Sequence, residues 1–95
     1  MDSYEVEKLF SKHSEDDFLA FDKIPVANRR HPRKDICAMI YMHERWGGDH
    51  KMLTHAEHDQ VWFDPEMDNI TVTDDDALYL TRCGVMFDNG FSMFV

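Results

Sequence analysis

Glycine is scarce in this sequence, and no arrangement of it cradles a phosphate. The four glycines, Gly47, Gly48, Gly84 and Gly90, stand where a helix or a hairpin would end. None belongs to a dinucleotide fingerprint, a phosphate loop or a nucleophile elbow. Cysteine is nearly absent. Cys37 and Cys83 could form one bridge at most, nothing else points to an oxidising compartment, and both are expected reduced and buried. Neither suits nucleophilic catalysis, because Cys37 falls in an apolar helix and Cys83 beside a helix C-terminus, where the dipole raises a thiol pKa. The longest apolar run, Ile36 to Met42, is too short to span a bilayer. The opening Met1-Asp2-Ser3-Tyr4-Glu5 lacks the basic and apolar regions of a secretory signal, so a cytoplasmic protein is expected.

The second half also lacks bases. From Asp49 to Val95 there are ten acids and two bases, Lys51 and Arg82, so nearly all of the net charge of −9 lies there. Phosphate contact requires Lys and Arg to displace condensed counterions, so direct nucleic-acid binding through that half is not expected.

The sequence does hold the makings of one small domain spanning residues 1–95. Apolar residues are 43% and aromatic residues 13% of the 95, which suits one compact core. Val6, Leu9 and Phe10 recur at helical spacing behind Asp2 or Ser3 as a cap, predicting a short helix over 2–13. Phe18 to Ile24, stopped by Pro25, reads as a strand or as an apolar loop. Pro32 and Gly47-Gly48 bracket a central helix over 33–46, with Ile36, Met39, Ile40, His43 and Trp46 at helical spacing on one apolar face and Cys37 and Tyr41 on its flank. Residues 49–54 read as a loop or a turn of helix, and Gln60 to Phe63, closed by Asp64-Pro65, as a strand.

Thr73 caps a further helix whose first turn holds Asp74, Asp75 and Asp76 and whose end carries Arg82 and Gly84. Val85–Phe87 and Phe91–Val95, joined through Asn89-Gly90, predict a C-terminal hairpin. The expected fold is α+β: a small antiparallel sheet, with the hairpin, packed against two or three helices.

For chemistry, the histidines come first. His50, His55 and His58 with a carboxylate could assemble a metal site, but the His-Glu-x-x-His pattern is absent: His43-Glu44 continues without it, and His58 follows His55 one residue too soon. The main expectation is therefore no metal and no cofactor, with that trio as the alternative. No catalytic residue is assigned and no enzyme is expected.

The acidic band from Glu57 to Asp76 is the stronger feature, carrying eight carboxylates and no Lys or Arg. Asp59, Asp64, Glu66, Asp68, Asp74, Asp75 and Asp76, with Trp62 and Met67 as apolar anchors, are expected to present a negative surface to a basic partner. The competing reading is a solvated face plus helix-capping aspartates. The basic knot Arg29, Arg30, Arg33 and Lys34 would take a second partner, pair with the acidic band of another copy as a homodimer, or neutralise the fold's own field.

Several stretches carry a resemblance: Arg30-His31-Pro32-Arg33-Lys34-Asp35, Ala56 to Phe63, Thr73 to Val85, and the ending Phe91-Ser92-Met93-Phe94-Val95. Over about two thirds of its length the chain resembles small acidic proteins encoded by bacteriophages and prophages, a group without an established activity. The resemblance implies a setting, the cytoplasm of a bacterial host. Proteins of that setting often inhibit host enzymes or defence systems, including anti-CRISPR and anti-restriction proteins, some of which mimic DNA. The expectation is thus a non-enzymatic inhibitor of a bacterial nucleic-acid-handling or defence complex, a protein or ribonucleoprotein with a basic surface. The alternatives are a histidine metal site and a self-associating virion or assembly protein.

Overall fold

The computed structural model describes residues 1–47, 51–65 and 69–94. Among these, three α-helices and a four-stranded antiparallel sheet follow the expected α+β plan, in the order α1 (Ser3–Asp17), α2 (Lys34–Trp46), β1 (Leu53–Glu57), β2 (Gln60–Phe63), α3 (Asp74–Arg82), β3 (Val85–Phe87) and β4 (Phe91–Phe94). The strand order is β1-β2-β4-β3. No helix among the described residues is long and apolar enough to cross a membrane.

Helix α1 begins where expected, with the Asp2 side chain accepting from the Glu5 N–H at 2.9 Å, but it runs four residues past the predicted end. The extension is held from outside the helix. At its end Asp17 accepts from Arg82 of α3 at 3.0 Å, and at its root His13 and Lys12 reach Asp74 of α3, each at 3.0 Å. Such tertiary ties leave no trace in helical periodicity. The helix ends at Phe18, and Leu19 turns the chain in a left-handed conformation (φ 61°), its N–H donating to the Thr81 carbonyl. Residues 18–24 are therefore not a strand; two short 3-10 turns, Phe21–Lys23 and Val26–Asn28, carry the chain to α2.

Helix α2 occupies the predicted span, but its inner face is rotated from the expected one. Cys37, Ala38, Tyr41 and Met42 are buried, whereas Ile36, Met39 and Ile40 are half-buried and His43 is exposed. Two aromatic contacts set the rotation. Tyr41 stacks on Tyr79 of α3 at 4.1 Å between ring centroids, and Trp46 stacks on Phe91 at 5.5 Å. With the flanking residues facing the core, the more apolar Ile36–Ile40 side is left at the margin.

The sheet gains a strand that was not expected. β1 pairs with β2 through a two-residue turn, His58-Asp59, with His58 left-handed (φ 55°). All five β1 residues are exposed, so the strand buries nothing and shows no apolar alternation. Elsewhere the pleat divides the sheet sharply: Phe63, Val85, Phe87, Phe91 and Met93 turn into the core that all three helices share, and Gln60, Trp62, Ser92 and Phe94 take the other face. The C-terminal hairpin forms as expected with a three-residue loop, Asp88–Gly90, in which Asn89 rather than Gly90 adopts the left-handed conformation (φ 58°).

Gly84 is a different case. Its φ is +95°, and a Cβ there would lie 2.6 Å from Leu19 Cδ2. The α3–β3 corner thus uses both the backbone freedom of glycine and its missing side chain to seat Leu19. Gly84→Ala should lower stability by about 2 kcal/mol, the scale of a non-glycine residue held in that region. Urea denaturation checks this, and an unchanged midpoint would show that the corner relaxes freely.

Candidate functional site

The three aspartates at the start of α3 divide into three different roles. Thr73 caps the helix, its hydroxyl accepting from the Asp76 N–H at 3.1 Å while Asp76 accepts from the Thr73 N–H at 2.9 Å. Asp76 is only 2% exposed. It also takes both Nε and Nη2 of Arg45 at 2.8 Å and the Tyr41 hydroxyl at 2.6 Å. Burial alone would raise this carboxyl, but Arg45, the Thr73 N–H and Tyr41 together hold it below the usual carboxylate range. Burial, and after it the bond to Asp76, pushes the Tyr41 hydroxyl up.

Asp76 is therefore removed from the expected partner surface: it is an internal clamp between α2 and α3. A Thr-x-x-Asp pattern signals the cap, but nothing in the sequence shows that Arg45 reaches it. Asp74 is engaged with His13 and Lys12, whose hydrogen bonds keep its carboxyl below the ordinary value. Only Asp75 of the three is exposed without a partner among the described residues.

The rest of the acidic band is distributed over other elements. Asp59 lies in the β1–β2 turn and Asp64 just after β2, both exposed. Glu66, Met67 and Asp68 lie outside the described residues. Trp62 is half-buried on the face of the sheet turned away from the core, with His55 packed on it at 5.0 Å between ring centroids.

Here the structure does bring residues together. Glu57, His58, Asp59, Gln60, Trp62 and Phe94 line one shallow cleft at the end of the sheet. The Phe94 ring, 59% exposed, was not singled out by sequence reasoning. The pleat signal was available: if Phe91 and Met93 face the core, Ser92 and Phe94 must face away.

The alternative metal trio is not assembled. His55 and His58 both turn to Glu57, at 3.2 and 3.6 Å, and His50 lies outside the described residues. Among the described residues no group of three or more His, Cys, Asp or Glu is placed to hold a metal ion.

Both cysteines are buried and unbridged. Cys37 Sγ lies 3.2 Å from the Tyr79 hydroxyl, which donates onward to the Asn28 carbonyl at 2.8 Å. Burial, with the neighbouring Cys37, pushes the Tyr79 hydroxyl up to about 12 and drives the Cys83 thiol upward as well. A thiol so held stays protonated and unreactive.

The basic knot is likewise divided. Arg30 pairs with Glu44 at 3.0 Å. Arg33 binds Asp35 through Nε at 3.2 Å and Nη2 at 2.7 Å. Arg29 lies over the Phe21 ring and donates to the carbonyls of Ile24 and Asp22. Lys34 has no partner among the described residues. Comparison with protein-family models, with curated proteins and with solved structures finds no match to this chain.

Proposed function

We propose that the chain is a non-enzymatic binding protein that inhibits a bacterial nucleic-acid-handling or defence complex by setting an acidic, aromatic-anchored surface against a basic groove of that complex. The observation that carries the reading is the cleft at the β1–β2 turn. The Asp59 carboxylate has no partner among the described residues and stands beside Glu57, the half-buried Trp62 and the exposed Phe94. A free carboxylate at Asp59, with the exposed Glu57 beside it and an aromatic anchor below, matches what a basic protein surface offers: cations to meet the acids and apolar side-chain stems to cover the rings. The net charge of −9 adds a long-range field of the same sign, which draws a positive partner to the molecule. The setting that the sequence resembles, a phage protein made in a bacterium, supplies the class of partner.

Affinity capture from a bacterial lysate, eluted by rising salt, tests this reading. A DNA- or RNA-handling complex should be retained at low salt and released at high salt. The pair Glu57→Lys with Asp59→Lys should weaken its capture by about a hundredfold while leaving the fold intact, since both side chains are exposed and neither packs in the core. Trp62→Ala should weaken it by a comparable factor. Capture unaffected by either change would overturn the proposal.

A further inference from the structure

Phe94 separates two clefts of opposite charge, and from this we infer that the face around it closes on a second copy of the same chain in a two-fold dimer. On one side of the ring lies the acidic cleft of Glu57, Asp59 and Trp62. On the other lies a wider cleft of about 640 Å³, lined by Leu19, Phe21, Pro32, Arg33, Lys34 and Asp35. Phe94 is 59% and Leu19 51% exposed, so the strip between the charged ends is apolar and open.

The charges at the two ends are not spent internally. Asp59 and Lys34 have no partner among the described residues. Arg29, stacked on Phe21 with 4.8 Å from its guanidinium carbon to the ring centroid, is bonded only to carbonyl oxygens. Arg33 and Asp35 cancel each other, leaving the wide cleft positive.

A strip that runs from acid through aromatic and apolar groups to base is complementary to itself after a half-turn. Around such an axis the Asp59 of each copy meets the Lys34 of the other, and the two Phe94 rings meet near the middle. A basic partner engages the acidic end and leaves Lys34 unmatched; an acidic partner engages only the other end. A second copy satisfies both ends, twice over. An open head-to-tail chain satisfies one pair per contact, which favours the closed dimer. The net charge of −9 on each copy opposes association at range, but physiological salt screens charges beyond about 8 Å and leaves contacting pairs largely intact. This inference does not depend on the basic partner proposed above.

Sedimentation velocity of the intact chain at about 0.15 M salt should show a monomer–dimer equilibrium. Lys34→Glu alone and Asp59→Lys alone should each raise the dimer dissociation constant about tenfold or more, because each places two like-charge contacts across the axis. Mixing the two variants in equal amounts should restore a mixed dimer within about threefold of the original affinity, since both contacts are then attractive again. Both residues are exposed, and circular dichroism identical to the parent confirms that the fold is kept.

A chain that is monomeric at every concentration overturns the inference. So does a dimer indifferent to both changes, or single variants that mixing does not rescue. Lys34→Glu should leave capture of a basic partner intact, so the two readings fail separately.

Discussion

Replacing Asp76 by alanine should cost about 3 kcal/mol of stability, the lower end of the range for removing one member of a buried ion pair. The lower end applies because Arg45 is 41% exposed in its side chain and regains water once released. What is lost is nonetheless large: two charge-assisted bonds from Arg45, the 2.6 Å bond from Tyr41 and one half of the α3 capping box. Against a total of roughly 5 to 15 kcal/mol for a small domain, that loss is a sizeable share.

Equilibrium unfolding in urea gives the number, and a loss under about 1 kcal/mol would show that the clamp holds little. The pH dependence carries a second signature of the same group. The folded-state pKa of Asp76 is depressed, so its stabilisation is fully present above the unfolded carboxyl value of about 3.9 and disappears as pH falls through the lower folded value. The parent protein should therefore lose stability more steeply than Asp76→Ala below about pH 4.

Phe91→Ala should be at least as damaging, at about 3 to 5 kcal/mol, because the ring is fully buried and leaves a cavity that its neighbours cannot fill. Phe91 sits at the centre of the aromatic core. It makes edge contacts with Phe10 and Phe87 and stacks on Trp46, so one deletion loosens α1, β3 and the end of α2 together. Phe91→Leu keeps most of the volume and should cost less than half as much. Trp46 reports the change directly, since losing the stacked ring alters its fluorescence before global unfolding begins. Equal costs for the two substitutions would place the importance of Phe91 in its backbone pairing with Phe63 and Phe87 rather than in its ring.

What could be read from the sequence was what is written locally. The α3 cap and its acidic first turn, the span of α2 and the C-terminal hairpin are short-range signals, and all appear. The inner face of α2 was misread because Ile36, Met39 and Ile40 outweigh Cys37, Ala38 and Tyr41 in hydropathy, while the contacts that set the rotation, Tyr41 on Tyr79 and Trp46 on Phe91, are distant in sequence. The acidic band suffered the same loss of information. The carboxylates read as one run become a turn aspartate at 59, an α1 anchor at 74 and a helix cap at 76, because folding sends β2 and α3 to different places. Charge is visible along a sequence; contiguity is not.

Strand β1 has a further consequence. It lies at the edge of the sheet, all five residues are exposed, and its pairing with β2 slips between Leu53 and His55. It contributes almost nothing to the burial of apolar area that holds the rest of the chain in one cooperative unit. Its place rests on contacts with a single neighbouring strand: the backbone ladder to β2, the Thr54 hydroxyl donating to the Trp62 carbonyl, and the His55 ring on Trp62. Local opening follows how much apolar surface an element buries, so the amides of β1 should exchange with solvent well before those of β2, β4 and β3, which share the core with the helices.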